Sequence, residues 1–250
     1  MTSSDQTTST ALVTGASRGF GRGIASALHA TGAPVVAVAR NAELLASLRD
    51  ELGGTLTTVV ADAADPVVAG RLIEQYQPGT VVLNAGAPPL MRPIQHQSWQ
   101  AFSRNWEIDV QQAFHWIREA LLLPLSPGST VVTMSSGAAV AGSPLSGGYA
   151  GAKATIRFIT AYAGEESERA GLGIRFVSLL PKLTPATELG SMAVVAYAGR
   201  AGVEAGEFRE RLGPGLTPDD VGKAVVELVG SEEHEAGAYM LSPAGLSLAG

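Results

Sequence analysis

Two side chains one helical turn apart are the first candidates for chemistry in this sequence. Tyr149 and Lys153 stand in the run Tyr149-Ala150-Gly151-Ala152-Lys153, a spacing that puts both on one face of a helix. A phenol ordinarily titrates near ~10 and is a slow acid–base group at neutral pH, whereas a neighbouring ammonium favours the phenolate and brings proton transfer within reach. The chain has five tyrosines and only three lysines, so such a pair arises by chance about 6% of the time. The competing interpretation is a surface tyrosine beside a solvated lysine. Ser135-Ser136 follows the apolar, branched run 130–134, where a strand ends and a ligand crevice opens in a parallel sheet. A hydroxyl there can donate to a substrate carbonyl, although serines at strand ends commonly act as polar caps.

A second set of residues is suited to holding rather than reacting. Thr14-Gly15-Ala16-Ser17-Arg18-Gly19-Phe20-Gly21 follows directly on the apolar run 11–13 and leads into a helical pattern over 22–30. Glycines at 15, 19 and 21 let the backbone turn sharply and approach a pyrophosphate, and the helix start offers unpaired N–H groups at the positive end of its dipole. The alternative is a glycine-rich turn with no ligand; its place after the first strand favours the dinucleotide. The end of the second strand chooses between dinucleotides, because an acid there binds a ribose 2′-hydroxyl and an arginine accommodates a 2′-phosphate. Positions 38–40 read Val-Ala-Arg, with no acid, and Arg18 offers a second guanidinium from the loop. Arg18 and Arg40 together suit a phosphate, so NADP(H) is preferred over NAD, unless both are ordinary solvated arginines.

Composition removes other chemistries. With no cysteine there is no disulfide, thiolate metal site or cysteine nucleophile. His29, His96, His115 and His234 are never three to five positions apart, so no metal site is expected. A net charge of −6 without a basic stripe argues against a nucleic-acid partner. No stretch approaches the ~18 apolar residues of a membrane helix. The opening MTSSDQTTST lacks the basic start and apolar run of a secretory signal, so 1–10 is expected to be a disordered tail on a cytoplasmic protein.

Elements must bring these residues together. The 250 residues, 46% hydrophobic, suit one domain over 11–250, and a charged fraction of 16% implies wide buried surfaces. Apolar, branched runs at 11–13, 34–39, 56–61, 80–83, 130–134, 174–180 and 238–241 alternate with helix-like stretches. Nearly continuous apolar character marks strands buried on both faces. The predicted fold class is α/β: a single-domain, doubly wound, Rossmann-like parallel sheet of about seven strands with helices on both faces. Leucines 44, 45, 48 and 52 share one face of a helix over 41–52. Thr217-Pro218-Asp219-Asp220 reads as an N-cap, a first-turn proline and acids opening a helix to about 230. Segment 184–215, rich in alanine, glycine and proline, is predicted to be an irregular, partly helical insertion that covers the substrate. No repeat or linker divides the chain.

TGASRGFG, then LNAG at 83–86, then Ser136 thirteen positions before Tyr149, then YAGAK, together resemble the classical short-chain dehydrogenase/reductase family, in matching order from position 11 almost to the end. The resemblance implies that Gly15, Gly19 and Gly21, with Ser17 and Phe20 beside them, line the pyrophosphate. It also implies that Arg18 and Arg40 take the 2′-phosphate, Asp62 and Ala63 the adenine edge, and Asn84, Ala85 and Gly86 the turn beside the cofactor. Ser136, Tyr149 and Lys153 become the catalytic set, the last two also touching cofactor. The family's further catalytic residue is an asparagine, which the segment 102–110 aligns with Asp109; Asn105, four positions earlier, is a lesser counterpart. In the family that residue holds a water to the lysine through its main-chain carbonyl, which an aspartate preserves while adding a charge. After the sixth strand the family's Pro-Gly is here Pro181-Lys182, with Thr184 the expected nicotinamide or phosphate contact alongside Pro181.

The expected activity is that of an NADPH-dependent carbonyl reductase or the reverse alcohol dehydrogenase, with Tyr149 as general acid/base. The alternative is a non-catalytic NADP-binding sensor or scaffold of the same fold. The small apolar residues Ala193, Val194, Val195 and Ala196, with Met192 and Tyr197, favour an apolar or mixed small-molecule substrate over a polyanion. The resemblance implies a homodimer or homotetramer packed through the helix starting near Gly147 and the one ending near Leu123. Ala150, Ala154, Phe158 and Ala161 are placed at that contact, or else against the chain's own sheet.

Overall fold

Every strand but the last runs parallel to its neighbours in one eight-stranded sheet, ordered β3-β2-β1-β4-β5-β6-β7-β8. The computed structural model describes residues 9–231 and 237–249. The first half runs β1 (Ala11–Thr14), α1 (Gly19–Ala30), β2 (Val35–Ala39), α2 (Ala42–Leu52), β3 (Leu56–Val60), α3 (Pro66–Tyr76) and β4 (Thr80–Leu83). A single 3₁₀ turn, Ile94–His96, precedes α4 (Trp99–Asn105), a π turn (Trp106–Val110) and α5 (Gln111–Leu122). Then come β5 (Thr130–Met134), α6 (Ala138–Ala141), α7 (Gly147–Arg169), β6 (Arg175–Pro181), α8 (Glu188–Ala201), α9 (Ala205–Leu212), α10 (Pro218–Gly230), β7 (Gly237–Ser242) and β8 (Gly245–Leu248).

Local sequence accounts for most boundaries. Asn41 caps α2 by accepting from the Leu44 N–H at 2.8 Å, and Asp65 caps α3 from the Val67 N–H with Pro66 in the first turn. Thr217 and Asp220 form a reciprocal capping box on α10, as their types and spacing require. Strands β1, β2, β4 and β5 are buried at every position, because helices cover both faces. One face packs α1, α2 and α10 through Ile24, Leu45, Leu48, Val225 and Leu228. The other packs α3, α5 and α7 through Leu72, Ile73, Trp116 and Ile156.

Three expectations change. The sheet has eight strands rather than about seven; β8 is a short antiparallel edge strand whose residues are largely exposed, so no buried apolar run announces it. The segment 184–215 is not irregular but mostly helical, formed by α8 and α9. Helix α8 buries Gly190, Ala193, Val194 and Ala198, small residues that give little apolar signal, and its start is set locally: Thr187 accepts from the Gly190 N–H, and a Cβ on Gly190 would lie 1.7 Å from the Thr184 carbonyl oxygen. Of the expected tail, 1–8 lie outside the described residues, as does His234, while the Thr10 carbonyl accepts from the Gly79 N–H at 3.0 Å.

Helices α1 and α10 approach so closely that glycine is required on both. A Cβ on Gly222 would lie 2.5 Å from the Gly23 carbonyl oxygen, whereas one on Gly230, in the same helix, meets nothing within 4 Å. Gly222→Ala should therefore destabilise the protein by about 2 kcal/mol despite the better helix propensity of alanine. Gly230→Ala should leave stability unchanged or slightly raised; thermal unfolding of both variants checks the pair.

Candidate active site

The loop from β1 to α1 is shaped by close backbone contact. Gly15 has φ +66 and a Cβ there would lie 2.8 Å from the Ala85 Cα; a Cβ on Gly21 would lie 2.2 Å from the Gly15 carbonyl oxygen. Gly19, at φ +54, instead opens into space, its nearest neighbour across the gap being Thr187 Cγ2 at 3.9 Å. Arg18 occupies the N-cap of α1 without a side-chain cap, so the first-turn N–H groups are left for an anion. Thr14 joins this loop to the turn after β4: its hydroxyl oxygen accepts from the Asn84 and Ala85 N–H groups at 3.0 and 3.1 Å and its hydrogen goes to Gln112 Oε1. Gln112 Nε2 donates in turn to the Ala85 carbonyl at 2.8 Å, and Asn84 Nδ2 to the Thr14 carbonyl at 3.1 Å. Neither Thr14 nor Gln112 stands out in the sequence; a glutamine in an amphipathic helix reads as a surface residue.

At the end of β2 and β3, Arg40 Nη1 lies 3.6 Å from Asp62 Oδ2, and Arg18 Nη1 lies 2.6 Å from Glu188 Oε2 at the start of α8, all four side chains being exposed. Each candidate phosphate cation thus already faces a carboxylate. Trp116 Nε1 donates to the Ala63 carbonyl at 2.9 Å and fixes the turn beyond β3.

The reactive candidates meet at the carboxyl edge of β5. Ser136, Tyr149, Lys153 and Asp109 line one cavity of about 1510 Å³ together with every candidate cofactor residue except Gly21, which lies behind the loop. Lys153 is buried; its Nζ donates to the Met134 carbonyl at 2.9 Å and lies 5.6 Å from the Tyr149 ring centroid. Asp109, 1% exposed, is turned inward by the π turn. Its Oδ1 accepts from the Ala87 N–H at 2.8 Å. Its Oδ2 lies 3.3 Å from Lys153 Nζ, an ion-pair contact rather than an aligned hydrogen bond, and takes no hydrogen bond among the described residues. Burial, the largest influence, would pull Lys153 down, but the Asp109 carboxylate beside it, with a smaller contribution from Tyr149, outweighs burial and holds the ammonium above its ordinary 10.5. The stabilisation from this raised value is complete below 10.5 and is lost only as pH rises through the folded-state value.

The two serines divide. Ser135 Oγ donates to the Lys153 carbonyl at 2.8 Å and so ties α7 to β5, while Ser136 Oγ accepts from the Ala138 N–H at 3.2 Å, leaving its hydrogen for another partner. Asn105 Nδ2 donates to the Ala87 carbonyl at 2.8 Å and holds the turn from behind, outside the cavity lining. Thr184 is buried and gives its hydroxyl hydrogen to the Leu216 carbonyl at 2.6 Å. Lys182 is exposed on the wall. Met91, Val140, Met192, Phe208 and Leu212 make much of the remaining wall apolar, with Tyr197 hydrogen-bonded to Ser143. Among the described residues no group of three or more His, Asp or Glu side chains is placed to hold a metal ion, and no helix is long and apolar enough to cross a membrane.

Residues 9–193 match the sequence profile of the short chain dehydrogenases. Human L-xylulose reductase is 36% identical over 128 residues, covering 50% of this chain and 52% of that relative. Carbonyl reductase [NADPH] 2 of Sus scrofa is 36% identical over 104 residues, 42% of each chain. These alignments span about half the length of the curated relatives. The solved structure of 3-ketoacyl-(acyl-carrier-protein) reductase from Brucella melitensis complexed with NADH superposes with a TM-score of 0.76 at 23% identity, covering 92% of this chain and 94% of that one; at such identity the likeness is one of fold.

Proposed function

The chain belongs to the short-chain dehydrogenase/reductase family of oxidoreductases, and from that premise we propose that it is an NADPH-dependent oxidoreductase acting between a small carbonyl compound and the corresponding secondary alcohol. The observation that carries this reading is the meeting of Tyr149, Lys153 and Ser136 in the cavity that also holds the glycine loop. The residues fit a dinucleotide: Gly19 faces open space at an uncapped helix start, and a Cβ on Gly15 or Gly21 would collide with the Ala85 backbone or the Gly15 carbonyl that shape the loop. NADP(H), when bound, supplies or accepts the hydride. Tyr149 delivers its phenolic proton to the carbonyl oxygen in reduction and takes it back in oxidation. Ser136 donates its free hydroxyl hydrogen to the same oxygen and stabilises developing alkoxide charge. Lys153 anchors the cofactor ribose and fixes the charge beside the phenol. The apolar wall favours an apolar or mixed substrate.

Preference for NADP(H) rests on Arg40 at the end of β2 and Arg18 in the glycine loop, and agrees with the NADPH in the name of the porcine relative. Their pairs with Asp62 and Glu188 are exposed. Such pairs are worth only ~0–1 kcal/mol, so a phosphate exchanges for them at little cost. We also propose a homodimer or homotetramer. On the outer faces of α5 and α7, Phe114, Leu122, Phe158 and Tyr162 are all more than half exposed. Ala150 is buried, whereas Phe158 and Ala161 are exposed, so the run expected at that contact divides between the two packings.

Tyr149→Phe keeps the ring and should leave NADPH affinity nearly unchanged while turnover on a carbonyl panel falls by about 10²–10⁴-fold; a variant retaining a third of the rate would remove Tyr149 from the mechanism. NADPH binding with no turnover of any carbonyl or alcohol by the unmodified protein would identify a sensor instead. Fluorescence titration should show NADPH bound far more tightly than NADH, with the gap narrowed or reversed in Arg40→Asp; equal affinities refute the preference. Light scattering at micromolar concentration should give at least twice the chain mass, and a monomer mass refutes the assembly.

A further inference from the structure

The ion pair beneath Tyr149 does more than complete a buried hydrogen-bond network. The Asp109 carboxylate is held at one end by the Ala87 N–H, and its other oxygen is directed at the Lys153 ammonium 3.3 Å away. No other described group donates to that oxygen. A Cβ on Gly86 would lie 2.9 Å from it, so glycine leaves the carboxylate room at that position. The Tyr149 ring lies 5.6 Å from the same ammonium. A bare cation beside a phenol favours the phenolate. A cation in contact with a carboxylate acts on the phenol as a dipole, and most of that bias disappears.

We infer that Asp109 is a positioning residue that converts Lys153 from a bare cation into a neutral ion pair and so withdraws from the Tyr149 hydroxyl the positive charge that would ease its proton loss. The inference rests on Tyr149 being the acid–base group. The raised titration of Lys153 has the same origin and keeps the pair intact through the neutral range. The other charges around the phenol are few. Apart from Asp109, no ionisable side chain of α4, the π turn or α5 lines the cavity. The end of β6 contributes Lys182, and the remaining charged lining groups are Arg18 with Glu188 and Arg40 with Asp62, two pairs at the glycine-loop end.

The test is a spectroscopic titration of the ligand-free protein, in which phenolate absorbance of Tyr149 is the difference between each protein and its Tyr149→Phe counterpart. Asp109→Asn keeps the shape and an acceptor for the Ala87 N–H but removes the charge. Its Tyr149 phenolate should form at least about one pH unit lower than in the unmodified protein, a tenfold easier proton loss. The double variant Lys153→Met with Asp109→Asn, which removes both charges together, should titrate close to the unmodified protein. An unmoved or raised midpoint in Asp109→Asn overturns the inference, as does a double variant that titrates with Asp109→Asn. No turnover enters this measurement, so its outcome is separate from that of the Tyr149→Phe rate assay, on which the functional reading stands or falls. In the active enzyme, the pH at which reduction declines should fall by the same amount in Asp109→Asn; an unchanged pH profile overturns the inference.

Discussion

Burying an ammonium is costly unless it is paired and hydrogen-bonded, and the Lys153 ammonium is the constraint around which the carboxyl edge of the sheet is arranged. Its partners come from two elements, the Met134 carbonyl at the end of β5 and Asp109 from the π turn, while Ser135 holds its own helix, α7, to β5 through the Lys153 carbonyl. A one-residue slip in any of them would leave a charge without its partner. The π turn is explained by the same demand, since the widened helix carries Asp109 into the interior between α4 and α5. Asn105 and the Ala87 backbone then complete the carboxylate's surroundings.

A second network couples this edge to the dinucleotide end. Thr14 and Gln112 are buried polar groups that find partners in the turn 84–85, in the Val82 carbonyl and in each other. Leaving any of these unpaired in the interior costs about 1–3 kcal/mol. The glycine loop, the turn after β4 and α5 therefore move as one body. The glycine contacts between α1 and α10 hold those two helices together on the opposite face of the sheet from α5. By contrast, the rim at Arg18, Glu188, Arg40 and Asp62 is held by exposed ion pairs alone, which suits residues that exchange a carboxylate for a ligand's phosphate. Rigid placement of reacting groups and weak closure at the rim fit a site that must fix geometry and still release product.

The periodicities and motifs of the chain determined a great deal by themselves. Continuous apolar runs can be satisfied only by strands covered on both faces, so the parallel sheet and the positions of β1, β2, β4, β5 and β6 follow from residue type. The caps on α2, α3 and α10 follow from local hydrogen-bonding chemistry, and the Tyr149–Lys153 spacing follows from the helix repeat. The pairing of Asp109 with Lys153, the division of labour between Ser135 and Ser136, and the roles of Thr14, Gln112 and Glu188 were decided only by the tertiary structure. Each depends on which distant carbonyl or carboxylate arrives beside a side chain, and no local pattern encodes that arrival. Segment 184–215 and strand β8 belong with them: α8 buries only small residues and valine and α9 buries none, while β8 lies exposed at an edge, so neither left a strong burial signal from which elements are read.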